Sequence, residues 1–423
     1  MTNKTTVHIH SRRNFLKVAG QSTAAMALMT GCSLSSTNEN SPIIATPIDN
    51  HKPNKPASEI PTPDNMDKPA PDDVDETTSV SLETKIGQML LVGFRGLTVE
   101  QSDVRDILDL QIGGVLLFDY DVARHKPVRN IQSPQQVKAL VDALQAYTEI
   151  PLLIGIDYEG GVVNRLPEKY GFPPTVSHQY LGRKGDLTLT HQYATKMAET
   201  LTGLGINLNF APVVDVNTNP SNPIIGKIER SFSADPQIVT DHALEYIRAF
   251  RQHNVICTLK HFPGHGSSQA DSHRGIADVT NTWAEIELIP YRQLIQTGEV
   301  DSIMTAHVFN QTLDPNYPAT LSKPVITDLL RGELGFDGVV FSDDMQMKAI
   351  ASHYGLEIAI QKAIEAGVDI LVIGNNMGDF VPDIAVRVTT IIKQLVQNGT
   401  ISPTRIDESY QRILKLKYKM GIV

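Results

Sequence analysis

Residues 260–266 read Lys-His-Phe-Pro-Gly-His-Gly, and Asp271-Ser272-His273 follows four residues later. Pro263, Gly264 and Gly266 exclude a helix, so this stretch is a loop. Its glycines let it bend close to a ligand. Asp271 and His273 stand two apart, a spacing that pairs them in a turn but not across a helix face. A carboxylate held against an imidazole fixes its tautomer and raises its basicity, which makes His273 a candidate proton shuttle. The plainer alternative is a His and an Asp that only cap a turn. A second candidate is Asp343-Asp344, at the end of an apolar run. Neighbouring strand residues point to opposite faces, so one carboxylate can enter a pocket while the other caps a turn or faces a helical layer. His261, His265, His273 and Asp271 also include possible metal ligands. However, Pro263 and Gly264 break any helical i, i+4 arrangement and no H-E-x-x-H motif occurs, so neither a metal nor a cofactor is expected.

Positioning such groups needs a scaffold. Short apolar runs recur at residues 89–93, 114–118, 152–156, 206–210, 256–260, 302–306, 338–341 and 369–373. Several are nearly continuous in apolar residues, as expected of parallel strands buried on both faces. Helical patterns lie between them, for example at residues 135–147 and 187–204. Another follows Ser322, a good N-cap residue, and ends at Gly335; a last one starts after Ser402-Pro403. Eight β–α units in a row predict an α/β fold of the (β/α)₈ TIM type in one catalytic domain, residues 81–423. No G-x-G-x-x-G or G-x-x-x-x-G-K-[ST] loop is present, which argues against a doubly wound nucleotide-binding sheet.

In such barrels the site lies at the C-terminal ends of the strands. The unusual polar residues fall there: Asp157, Glu159 and Arg165 after strand three, Asp215, Asn217 and Arg230 after strand four, the 260–273 loop after strand five, His307 after strand six, Asp343-Asp344 after strand seven, and Asn375-Asn376 after strand eight. Six consecutive strand ends with charged or amide groups predict a polar, concave pocket.

The 423 residues carry a net charge of −10, with 41% hydrophobic and 20% charged residues. No long basic run follows residue 20, so a nucleic-acid partner is not expected. The two cysteines, Cys32 and Cys257, lie in unrelated contexts, which excludes a disulfide framework. Cys257, in an apolar run, reads as a small buried hydrophobe. Residues 1–32 have the order of an export signal: basic, then apolar, then small. Arg12-Arg13 with Phe15-Leu16-Lys17 resembles a twin-arginine signature. The sequence Leu28-Met29-Thr30-Gly31-Cys32 resembles a bacterial lipoprotein cleavage site, which implies a lipid on Cys32 and a membrane as partner. The expected location is therefore the periplasm or cell surface. Residues 33–80, rich in Ser, Thr, Asn, Pro and Asp, read as a flexible linker.

The 260–273 segment resembles the signature of bacterial β-N-acetylglucosaminidases (β-hexosaminidases) of glycoside hydrolase family 3. The resemblance extends to residues 155–161, 210–216, 230–232, 306–308 and 341–345, in order, across nearly the whole folded part. It implies a retaining two-step mechanism with Asp343 as nucleophile, His273 as acid and then base, and Asp271 orienting His273. It also implies sugar contacts from Asp157, Arg165, Arg230, Lys260 and His261, and an oligosaccharide substrate of cell-wall (muropeptide) or chitin type. Lys260 and His261 could alternatively anchor the loop. The stretch before Arg230, residues 225–232, is slightly longer than the common family form, which implies a differently shaped loop. Two helices follow the eighth strand and no second α/β domain is expected. This favours the N-acetylglucosaminidase branch over the β-glucosidase branch. A β-glucosidase on the same barrel and a sugar-binding lipoprotein without catalysis are the competing readings. Oligomeric state is not legible.

Overall fold

The computed structural model describes residues 80–100 and 104–423, and the strands of its eight-stranded sheet fall on the eight apolar runs. They form β1 (Leu90–Gly93), β2 (Gly114–Leu117), β3 (Leu153–Ile156), β4 (Leu208–Asn209), β5 (Ile256–Phe262), β6 (Ser302–Thr305), β7 (Val339–Phe341) and β8 (Leu371–Ile373). Every residue of these strands is buried, because apolar side chains face both the barrel interior and the helical layer.

Each strand pairs in parallel with its successor from β1 to β7. β8 returns to β1, with Leu90, Leu91 and Val92 opposite Leu371, Val372 and Ile373. Between β7 and β8 the ring is closed by a Phe341–Ile370 bridge. There Asp369 N–H donates to Val340 O (2.8 Å) and Ser342 N–H to Ile370 O (2.9 Å). The expected (β/α)₈ barrel is therefore the observed one. β4 is short because Pro212 has no N–H to offer the ladder; pairing resumes where Val213 bridges Lys260.

Amphipathic helices wrap the ring. Leu187–Leu204 starts at Asp186, whose side chain accepts from Leu189 N–H, and stops at Gly205 with φ +78°. It packs on Pro236–Gln252, which Asp235 caps. The last helix, Pro403–Lys419, has Ser402 as N-cap, as expected. The helix after Ser322 is present over Pro324–Glu333 and Ser322 Oγ accepts from Val325 N–H (3.2 Å). Its winding differs from an ordinary α-helix, with i to i+5 hydrogen bonds such as Leu334 N–H to Leu329 O (2.9 Å).

The far end of the barrel is sealed by Lys417. Its buried Nζ donates to Gln88 Oε1 (2.8 Å) and Pro151 O (2.7 Å), and burial pushes its pKa down to about 7. Cys257 is buried in β5. Among the described residues no helix is long and apolar enough to cross a membrane. The export segment with Cys32, and all of the expected linker but its last residue, lie outside the described residues.

Candidate active site

At the C-terminal mouth of the barrel, β3 runs into a hairpin of Tyr158–Gly160 and Val163–Asn164. Residues two apart in extended chain share a face, so Asp157 and Glu159 both meet Lys260. Lys260 Nζ donates to Asp157 Oδ1 (2.7 Å) and stands 2.6 Å from Glu159 Oε1. Arg230 grips Glu159 with both arms, Nε to Oε2 at 2.8 Å and Nη2 to Oε1 at 2.7 Å. Burial alone would raise the Glu159 carboxyl, but Arg230 and Lys260 outweigh it and hold it far below the usual range. Asp157 is likewise lowered against its burial, by Lys260 and Arg165.

A second buried carboxylate, Asp215, organises the end of β5. Its Oδ2 accepts from His261 Nδ1–H (2.7 Å), and its Oδ1 accepts from the backbone N–H groups of His261 (3.2 Å) and His265 (2.8 Å). With Nδ1 donating, His261 presents its Nε2 lone pair to Arg230 Nη2, 3.2 Å away. β5 extends two residues further than expected, to Phe262, so Lys260 and His261 lie within the strand. They line the pocket and anchor it at once, because the strand fixes their backbone.

The Asp271–His273 pair forms in a loop, as the spacing predicts. His273 Nδ1–H donates to Asp271 Oδ1 (2.8 Å), and the same oxygen accepts His273 N–H (3.0 Å). The His273 side chain is 43% exposed. Asp343 lies just past β7 and lines the same pocket as His273. Burial would raise its carboxyl, but the imidazoles of His307, His261 and His273 outweigh that and lower it, so Asp343 stands as an anion. Asp344 has the opposite bias: burial, with Asp343 beside it, pushes it up to about 6. The Asp344 carboxylate caps a turn, accepting from Gln346 N–H (3.1 Å) and Gly374 N–H (3.0 Å). His307 Nε2–H donates to the Asp344 carbonyl (2.9 Å), which fixes the turn that carries Asp343.

These groups surround a cavity of about 860 Å³, open solvent at its mouth included. Asp157, Arg165, Lys260 and His261 supply polar wall; Ile224, Ile228, Met304 and Met347 supply apolar wall. The loop before Arg230 bends at Glu229, a non-glycine residue with φ +60°. Glu229 is held there by Ser177 Oγ–H to its Oε2 (2.8 Å) and by Gln179 N–H to its carbonyl (3.2 Å). The bend brings Ile228 to the pocket.

The structure thus brings Asp157, Arg165, Arg230, Lys260, His261, His273 and Asp343 to one cavity, with Asp271 behind His273. Arg230 directs Nε and Nη2 to Glu159 and Nη1 to Ile224 O (2.9 Å), so much of its donor capacity serves the wall itself. Arg165 is looser, 3.8 Å from Asp157 Oδ2 and 3.7 Å from Asp119 Oδ1. Glu159 and Asp215 were not assigned roles from the sequence. The Asp-x-Glu spacing of residues 157–159 in an extended segment was a usable signal for Glu159. Asp215 had none beyond its place after β4, because its partners come from another strand.

Residues 81–416 match the glycosyl hydrolase family 3 N terminal domain. A β-hexosaminidase A of Pseudoalteromonas piscicida is 34% identical over 388 residues, covering 79% of this chain and 60% of that protein. A β-hexosaminidase of Tolumonas auensis is 36% identical over 290 residues, covering 68% and 83%. A family 3 β-N-acetylglucosaminidase structure from Paenibacillus sp. str. FPU-7 superposes with a TM-score of 0.74 at 37% identity, over 81% of this chain and 63% of that one. A β-N-acetylhexosaminidase structure from Beutenbergia cavernae gives 0.71 at 30%, over 80% and 99%. The chain therefore spans less than two thirds of the Pseudoalteromonas and Paenibacillus proteins, and nearly the full Beutenbergia chain.

Proposed function

This chain belongs to glycosyl hydrolase family 3, and on that premise we propose that it is a retaining, exo-acting β-N-acetylglucosaminidase. One observation carries the reading: an anionic Asp343 and an Asp271-backed His273 line the same pocket, whose other wall is the Asp157–Lys260 pair. Retaining glycosidases usually place two carboxyl groups roughly 5 Å apart; here an imidazole takes the place of one.

In the first step Asp343 attacks the anomeric carbon and the bond to the leaving oxygen breaks. His273 Nε2–H gives that oxygen its proton, while Asp271 holds Nδ1–H and stabilises the ring. In the second step His273 Nε2 takes a proton from water, which attacks the same carbon, releases Asp343 and leaves a β-configured sugar. Asp157, Arg165, Lys260 and His261 hold hydroxyls of the ring. The hydrogen-bonding site disfavours sugars that leave those buried groups unpaired. Terminal N-acetylglucosamine on a cell-wall or chitin-type oligosaccharide is the substrate class. The leader at Arg12-Arg13 and Cys32 supports action in the cell envelope.

An activated fluorosugar of N-acetylglucosamine should leave one glycosyl mass on the peptide that contains Asp343. A labelled peptide elsewhere, or none, sinks the nucleophile assignment. Aryl β-N-acetylglucosaminide should be cut far faster than aryl β-glucoside; the reverse order sinks the specificity. Product analysis on a muropeptide fragment and a chitooligosaccharide then separates the two polymers.

A further inference from the structure

The loop that follows β5 has two halves of different character. Its first half is clamped from several sides. His265 N–H reaches Asp215, Gly266 N–H reaches Glu287 Oε2 (2.8 Å), and Asn222 Nδ2 donates to the carbonyls of His265 (2.7 Å) and Gly266 (3.2 Å). Asn219 Nδ2 holds the Ser268 carbonyl (2.9 Å). A Cβ on Gly266 would collide with the Val216 carbonyl, and one on Gly264 with Glu287, so the backbone is pressed against its supports. The second half is mostly solvated: Gln269, Ala270, Arg274 and Ile276 are exposed and Asp271 and His273 half-buried. Within it only Ser272 points inward, at 1% exposure.

Ser272 Oγ meets His265 Nε2 at 3.1 Å. The other hydrogen bonds of residues 270–274 are local, between Ser268 and Ala270 or among Asp271, His273 and Arg274. We propose that His265 is a positioning residue: through Ser272 it holds the Asp271–His273 pair over the pocket. The inference rests on the acid/base role proposed for His273. Three features make the ring a fitting anchor. It is 1% exposed, it leaves a backbone fixed on both sides, and it stands edge-on to His261 with centroids 6.0 Å apart. Burial pushes its pKa down to about 4, so it remains a neutral hydrogen-bonding ring across the range in which His273 must exchange a proton. Asp215 holds both His265 and the sugar-facing His261, so the proton donor is registered against the same carboxylate as the sugar wall.

The test is the kinetics of Ser272→Ala, His265→Phe, the double variant and His273→Ala on aryl β-N-acetylglucosaminides with a poor (phenyl) and a good (dinitrophenyl) leaving group. Acid assistance matters for the first and little for the second. Ser272→Ala and His265→Phe should each lower kcat/KM, which reports the glycosylation step alone, on the poor leaving group by about five- to tenfold, the size of one hydrogen bond. For the good leaving group kcat/KM should be nearly unaffected, and the double variant should be no slower than the slower single. Equal losses of kcat/KM on both leaving groups, additive losses, or no loss in Ser272→Ala while His273→Ala collapses would each overturn the positioning role and leave the proposed function standing. An unimpaired His273→Ala would overturn both. Ser272→Ala decides alone should His265→Phe fail to fold.

Discussion

The two sides of the pocket are built on opposite physical plans. The wall proposed to bind the sugar is a buried lattice of charge: Glu159 is 1% exposed and meets Arg230 and Lys260 within 2.8 Å. The side proposed to transfer the proton is a solvated segment whose Asp271–His273 pair hangs on one inward hydrogen bond, from Ser272. A group that binds must not move, because each unpaired charge in the interior costs several kcal/mol. A group that exchanges protons with water must touch water. Damage to the first side should therefore appear as lost stability, and damage to the second as lost turnover.

Asp343→Ala, between the two, gives the largest effect. Turnover should fall by about 10⁴-fold or more, since the attacking carboxylate is removed. The melting temperature should stay within a few degrees, as a desolvated charge is removed; a collapse of the fold would move Asp343 to the structural side. Glu159→Ala should cost about 3–5 kcal/mol in denaturant titrations, because Arg230 and Lys260 are left buried without their shared partner. A loss below about 1 kcal/mol would refute the lattice as a stabilising unit. His273→Ala should lower kcat on a poor leaving group by about 10²–10³-fold. Its stability should change by no more than about 0.5 kcal/mol, since the half-buried ring packs into no core. If stability and turnover fell together, the distinction between the two sides would fail.

The smallest effect concerns Glu287, the buried carboxyl beneath the clamped half of the loop. Burial, with Asp215 nearby, pushes it from 4.5 up to about 7. Between those values the folded chain binds the proton that the unfolded chain has released. Its contribution to stability is therefore complete at low pH and is lost as pH rises through about 7, by up to about 3 kcal/mol. Glu287→Gln cannot ionise, so its stability should change less between pH 5 and pH 8 than that of the parent. Parallel curves in thermal melts would contradict the shift.

All eight strands were legible because burial on both faces leaves a run of apolar residues that needs no partner to be recognised. The 260–273 loop and its Asp271–His273 pair were legible because proline, glycine and the Asp-x-His spacing are local signals. Lys260 and His261 were read at the end of a strand that continues through them, since a strand bearing polar residues toward a pocket loses its apolar pattern. Glu159, Asp215, His265 and Glu287 were missed as supports for one reason. Each is defined by partners from other strands or loops, and a buried ion pair has no signature until the chain has folded. The winding of the helix at Pro324–Glu333 was likewise hidden, because its capping residue and its terminal glycine are the same for either winding.

The β1–β8 pairing has a meaning for assembly. Leu90 and Leu371 lie far apart in the folded chain, so of the strand pairings theirs has the greatest loop to close, and such pairings form late. The Asp343 turn hangs from β8: Met345 N–H donates to Val372 O (3.0 Å), and Asn375 N–H to Gln346 Oε1 (2.7 Å). The ring has a clasp, and the carboxylate proposed to attack the sugar is mounted on it. On the proposed roles, a chain stalled before the clasp shuts would hold His273 ready with Asp343 not yet in place, so the onset of turnover during refolding would report the joining of the first strand to the last.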